Sequence, residues 1–515
     1  MGPATHGSDN NRFRRTKMHL FSKIYRPALA PLLAALVLAG CATAPAVDPV
    51  AIAAAPAAFK ENPATNPAQW VQSAPAEARD RGTWWRVFND PTLDALIERA
   101  SQQNTSIAEA ASRLRQAQAL VKNSEADRSV QLGLGAGAQR QAGANTTNGS
   151  TPAKLFTAEA QLSYEVDLFG RLAKATDAAS LDAQASAALL QSTRLLVQAN
   201  VAQTYLALRA TDAERALVRE TVAAYRDTLN LTQRRFNAGD VAEFDVARVT
   251  TEVASTESDA LALDRQRATL EHALAVLVGD SASQFSLDNL DNAEWRATLP
   301  TIPAGVPATV LTRRPDVAAA QSSLLAAQAR VGVAQAAWFP SVSLTAAGGF
   351  ASPDIGDVFK WSARAWGIGA LLSLPILDGG RREAGVQSAS AQLDGATAAY
   401  RGQVLTAFQE VEDQLASLRL LAQQTQAQDQ AVESATRATR LSDARYRNGY
   451  ISQLDLLDAR RSELRNRRQA LGVRSAQYQS TVVLIRALGG GWDAGMKTGA
   501  ETGTGAVAVA QTNTR

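Results

Sequence analysis

Two short stretches decide the fold: Arg235-Phe236-Asn237-Ala238-Gly239 and Arg445-Tyr446-Arg447-Asn448-Gly449. A shift of 210 positions lays residue 235 on residue 445 and carries Asp245 onto Asp455, Gly170-Arg171 onto Gly380-Arg381, and Gly279 onto Gly489. Further upstream Ile107 meets Val317 and Leu114 meets Leu324, and from Gly170 to Gly279 the register needs no gap. Solenoid repeats have periods of about 20–50 residues. A unit this long instead reads as two copies of one supersecondary module.

Outward from those stretches each copy is helical. No proline occurs from Arg171 to Gly279 or from Arg381 to Gly489. Val404, Phe408, Val411, Leu415 and Leu418 follow the 4-3-4-3 spacing of a coiled-coil seam, and Val201, Tyr205 and Leu208 keep the matching places in the first copy. The pattern predicts one very long helix, a turn near Gly239 or Gly449, and a return helix. About 65 residues at ~1.5 Å each makes a rod of roughly 100 Å. Alone, such helices would favour a solvent-exposed structural coiled coil, and the strands break that tie.

Ahead of each long helix the period changes to two. Phe156, Ala158, Ala160, Leu162, Tyr164 and Val166 alternate with Thr157, Glu159, Gln161, Ser163, Glu165 and Asp167. Val130, Leu132 and Leu134 alternate with Gln131, Gly133 and Gly135; Val342, Leu344 and Ala346 with serines and a threonine; Trp366, Ile368, Ala370, Leu372 and Leu374 form a fourth row. The expected strands lie near 129–140, 155–167, 341–350 and 364–375. Segments of about ten residues with one apolar face are what a transmembrane barrel requires. Four strands cannot close a barrel, which starts at about eight, and open edges are not tolerated in lipid. A membrane sheet of this kind must be shared among two, three or four copies.

Hydrophobic residues make up 46% of the 515 while aromatics are 6%, which favours closely packed helices over a bulky core. The pI near 9.0 suggests nucleic acid only until the charge is located. Residues 1–40 hold six bases and one acid, so the remainder carries −2 against +3 for the whole chain, and no nucleic-acid partner is expected. Beyond the leader there is one histidine, His272, and one cysteine, Cys41. Together they cannot build a His/Cys metal site or a Cys–His dyad. No G-x-S-x-G or Walker loop occurs. The expectation is a protein with no catalytic residues, no metal and no cofactor.

Met18 begins a signal-peptide pattern, with Lys23 and Arg26 ahead of a short apolar run at residues 28–37. Leu38-Ala39-Gly40-Cys41 resembles a bacterial lipoprotein processing site, which makes Cys41 the lipidation residue. Residues 1–17 read as an upstream extension or a misassigned start. The expected organisation is leader 1–40, lipid-anchored tether 41–83, first repeat 84–279, linker 280–306, second repeat 307–491 and a disordered tail 492–515.

Several ordered motifs then carry a resemblance. Trp84-Trp85-x-x-Phe88-x-Asp90-Pro91-x-Leu93, Arg314-Pro315-Asp316-Val317, Phe339-Pro340 and Leu377-Asp378-Gly379-Gly380-Arg381 resemble the TolC/OprM-type outer membrane factors, over Trp84 to Gly491. The lipoprotein leader resembles their lipid-anchored, NodT-like branch that serves RND efflux systems. That resemblance implies an α+β membrane protein: a homotrimer whose twelve strands form one outer-membrane barrel, continued by a periplasmic helical barrel. It implies a periplasmic adaptor and an inner-membrane RND transporter as partners, with outer membrane lipid around the barrel. It also implies roles for residues. Arg235, Gly239, Arg445, Tyr446 and Gly449 match the helix tips that face the adaptor. Leu454 would form an apolar ring closing the tunnel, with Asp458 and Arg461 in the polar links of the gate and Asp245 and Arg248 as weaker counterparts. Two other roles stay open: the outlet of a type I secretion system, and a lipid-tethered periplasmic coiled-coil scaffold.

Overall fold

The computed structural model describes residues 47–52, 55–56, 59–61, 82–142, 152–289, 299–300 and 313–490. The leader with Cys41, most of the tether, most of the 280–306 linker and the 492–515 tail lie outside the described residues.

Five elements of one repeat correspond in order to five of the other. The first contains α1 (Pro91–Gln103), α2 (Thr105–Ala126), β1 (Gln131–Gln141), β2 (Ala153–Val166), α3 (Arg171–Asn237) and α4 (Glu243–Leu277). The second contains α5 (Pro315–Ala336), β3 (Ser341–Ser352), β4 (Arg364–Ser373), α6 (Arg381–Arg447) and α7 (Gln453–Ala487). The 210-residue shift carries both ends of α2, α3 and α4 onto those of α5, α6 and α7, and the stretch equivalent to α1 lies mostly outside the described residues.

Local chemistry sets those ends. Each of the four long helices stops on a glycine with positive φ: Gly239 at 83°, Gly279 at 83°, Gly449 at 75° and Gly489 at 90°. The following amide reaches back to the carbonyl five residues earlier, as in Asp240 N to Arg235 O at 2.8 Å and Tyr450 N to Arg445 O at 2.9 Å. This is the Schellman arrangement, which needs a residue free to be left-handed. The RF/RY-x-x-G stretches that revealed the repeat are therefore helix-stop signals. At the start of α7, Ser452 and Asp455 form a reciprocal capping box.

The chain divides into two compact units. One, described over 128–142, 152–174 and 330–387, holds a single antiparallel sheet in the order β1-β2-β3-β4. The central β2–β3 pair joins the repeats, and β1 and β4 are left as open edges. The Phe169 and Phe339 rings stack beside it at 4.7 Å.

The other unit is helical. Its core gathers Trp84, Trp85, Phe88, Leu93 and Ile97 against Tyr205, Leu206, Leu274, Tyr478 and Val482. The tryptophan motif is thus structural: Asp90 caps α1 through Thr92 N and Leu93 N and accepts the Tyr205 hydroxyl at 2.6 Å. The repeats are tied down at equivalent points. Asn104 Nδ2 donates to Leu277 O at 2.8 Å, and Arg314, 210 positions on, donates to Ala487 O at 3.1 Å. Arg314 also grips Asp316 and Glu410, both at 2.6 Å. Helical flanks receive non-helical straps. Arg209, Arg215 and Arg267 surround the fully buried Asp212 and hold Leu287, Asp288 and Asn289. Arg419, the counterpart of Arg209, holds Glu61, while Glu412 accepts the amides of Lys60 and Glu61.

Candidate functional site

The sheet sorts its side chains by chemistry. Antiparallel register aligns Leu132, Leu162, Ala346 and Ile368 in one row across all four strands, and Leu134, Ala160, Gly348 and Trp366 in the next. Paired residues project to the same side, so this face is apolar from the Val166–Val342–Leu372 row to the Trp366 row. Leu134, Trp366 and Ile368 are 85%, 77% and 81% exposed, far more apolar surface than water tolerates as one patch. The opposite face is small or polar over its middle rows, with Leu371 and Leu155 only towards its two ends. One of its rows runs Gly133, Gln161, Ala347, Gly367 and the next Gly135, Glu159, Gly349, Ala365. Glu159 is exposed there, whereas Glu165 is gripped by Arg171 at 2.8 Å.

The helical unit places the expected tip residues on two hairpins. Gly239 and Gly449 make the reversals, with no atom within 4 Å of where a Cβ would stand. Arg235 and Tyr446 meet across the repeats: the Arg235 guanidinium lies 4.9 Å from the Tyr446 ring centre. Tyr446 is only 4% exposed, so its ring supports the tip from beneath Arg235 instead of presenting a surface. Phe244 and Tyr450, 66% and 75% exposed, present apolar tip surface that the repeat alignment did not single out. Arg445, in the last turn of α6, supplies the carbonyl that closes the stop.

The gate candidates lie on the first turns of α7. Leu454 is 41% exposed while its neighbours Leu456 and Leu457 are buried, Leu457 against Tyr225, Val249 and Val253. Arg461 is drawn mainly to Glu252 of α4, with Nε to Oε2 at 2.9 Å and a second contact from Nη2; its bond to Asp458 is 3.4 Å. Glu252 first, against the opposing effect of burial, raises the Arg461 pKa further above its ordinary value. Arg460 reaches Ala224 O, Thr228 Oγ1 and Asp443. Desolvation of the Tyr225 hydroxyl, with Glu252 nearby, pushes it up to about 12, so it stays neutral. In the first hairpin, Arg248 lies over Phe244 and Asp245 accepts from Ala242 N. None of these groups forms a nucleophile–base pair; they can hold helices together or release them. Sequence reasoning missed Glu252 because its partner lies 209 positions away.

Comparison with known proteins agrees with both units. The family model described as "Outer membrane efflux protein" matches residues 96–280 and 306–490, one match per repeat. The probable efflux pump outer membrane protein TtgC of Pseudomonas putida is 34% identical over 477 residues, covering 90% of this chain and 95% of that protein. Among solved structures, the outer-membrane channel OprN superposes with a TM-score of 0.76 at 28% identity, covering 83% of this chain and 99% of that one. The outer membrane protein VceC of Vibrio cholerae gives 0.73 at 29%, covering 82% and 100%. Two helical hairpin repeats, a four-stranded sheet with one apolar face, and matches spanning both copies leave one assignment: the chain belongs to the outer membrane efflux protein family.

Proposed function

We propose that this chain is the outer-membrane channel of a tripartite RND-type efflux pump, a passive duct for small molecules. The observation that carries the reading is the sheet: one face wholly apolar over its middle rows, the other small and polar, with both edge strands unpaired. An unpaired edge in lipid costs several kcal/mol per orphan group, so β1 must pair with β4 of another copy. Three copies give twelve strands, apolar face to lipid and glycine-rich face to the lumen. The Cys41 lipid then anchors the chain to the same membrane. The helix tips, at Arg235, Gly239, Arg445 and Gly449 with Tyr446 beneath, meet the periplasmic adaptor. Leu454, Asp458 and Arg461 form the gate, and the inner-membrane transporter supplies the energy.

Single-channel recording in planar bilayers tests this. Wild type is expected to give small, mostly closed currents that rise several-fold in the L454A/D458A/R461A variant. Equal currents would remove the gate from these residues, and no current from either protein would sink the channel. Loss of acyl labelling in Cys41→Ser tests the anchor.

A further inference from the structure

The apolar face of the sheet carries cations only at its hairpin end. Arg140 of β1 and Lys154 of β2 are register partners, two residues beyond the Ala138–Phe156 pair, so both leave the sheet on the apolar side. Both are exposed. Like charges directly opposed on neighbouring strands destabilise the pair unless an anion joins them. The hairpin supplies none: from Gln131 to Ala158 these are the only charged residues. Arg364 opens β4 on the same face, opposite Phe350, with its guanidinium 4.0 Å from the Trp361 ring centre. In the β3–β4 connection Asp357 is taken by Lys360 at 2.6 Å. Trp361 and Phe359, 76% and 77% exposed, mark this end as the rim where aromatic rings meet lipid headgroups.

We infer that Arg140 and Lys154 together clasp the phosphate of an anionic membrane-lipid headgroup at the hairpin margin of the barrel. The inference rests on the reading of the sheet as a membrane barrel. Two parallel facts select a lipid over a soluble anion. The pair projects on the side that faces lipid, and an uninterrupted apolar surface lies directly below it for the acyl chains. Long basic side chains reach from such a surface to the headgroup level. The charges also mark the boundary of the apolar band without entering it.

Full-length protein in a neutral detergent is titrated with phosphatidylglycerol and with zwitterionic phosphatidylcholine, and retained lipid is read by native mass spectrometry. Wild type is expected to retain phosphatidylglycerol preferentially. Replacing both charges in R140Q/K154Q should weaken that retention by about thirtyfold, while the charge-preserving R140K/K154R keeps it. Absence of any preference in wild type overturns the inference, as does an undiminished preference in R140Q/K154Q. Full competition by equimolar inorganic phosphate overturns it too, since the site would then hold a small anion. Bilayer conductance is recorded on the same samples. A conducting wild type without lipid preference removes this site alone, whereas a wild type that neither inserts nor conducts removes the channel reading and this inference with it.

Discussion

Arg461, on the return helix of the second repeat, grips both carboxylate oxygens of Glu252, on the return helix of the first, more closely than it holds Asp458 one turn away. The tip is thus tied across the repeats by a two-pronged ion pair, with Arg460 adding hydrogen bonds to α3 at Ala224 O and Thr228 Oγ1. Any outward swing of the α6–α7 hairpin must break these contacts first. A partly exposed bidentate pair contributes about 1 kcal/mol. Removing it from each protomer should therefore raise open probability by roughly fivefold or more.

Glu252→Gln is the informative change, because it leaves Leu454, Asp458 and Arg461 in place. Single-channel records should show more frequent opening in Glu252→Gln than in Asp458→Asn. If Asp458→Asn has the larger effect, the gate is held by the longer Arg461–Asp458 contact and not by the Arg461–Glu252 pair.

Gly279 and Gly489 make a second, static prediction. They are repeat counterparts, and a Cβ on either would stand 2.7 Å from a backbone carbonyl oxygen, that of Gln103 or of Arg313. Both also have φ near 90°, where L-residues are strained. Alanine at either site is expected to destabilise by about 1–3 kcal/mol, lowering the thermal unfolding midpoint. Gly395, inside α6, has no non-neighbouring atom within 4 Å of where a Cβ would stand. Gly395→Ala should instead stabilise by about 0.5–1 kcal/mol. Equal midpoints for all three variants would contradict the close approach.

How much of this was legible in the chain depends on sequence distance. The repeat, the strand alternation and the helix stops are local patterns, so a shift of the sequence exposed them, and the helices that follow end where the glycines stand. The apolar rows could be counted, but their alignment across four strands required the register. Contacts between distant segments left no local trace. The resemblance names Asp458 and Arg461 together as polar links, whereas the main partner of Arg461 is Glu252 on another helix. The family resemblance places Tyr446 with the adaptor-facing tip residues, yet its ring is buried with Arg235 over it. The strap at Phe59–Glu61 was invisible for the same reason, as was the third arginine of the Asp212 cluster, Arg267, which joins the local Arg209 and Arg215 from 55 residues away.

Acid should loosen the clamp beside Asp212. Burial alone would raise the Asp264 carboxyl, but Arg215 at 2.6 Å and Arg219 at 2.9 Å outweigh it and hold it below its ordinary 3.8. A carboxyl depressed by folding contributes stability above its unfolded value and loses it as pH falls through the folded one. The thermal midpoint should therefore fall more steeply below about pH 4 in wild type than in Asp264→Asn. Parallel pH profiles would show that the pair contributes nothing measurable.

Ion selectivity tests the lumen face. Glu159 sits between Gly135 and Gly349 in its row, exposed on the polar side, and threefold assembly repeats it as a ring of three carboxylates. Glu165 lies on the same face but is neutralised by Arg171. The field of such a ring matters only while screening is weak. The Debye length is about 30 Å at roughly 0.01 M salt and about 3 Å at roughly 1 M. In a dilute KCl gradient the wild-type reversal potential should lie on the cation-selective side, and Glu159→Lys should move it towards anions. Glu165→Gln should move it less, and concentrated salt should erase both differences. An unchanged reversal potential in Glu159→Lys, from a channel that still conducts, would place Glu159 away from the ion path and reverse the assignment of the two sheet faces.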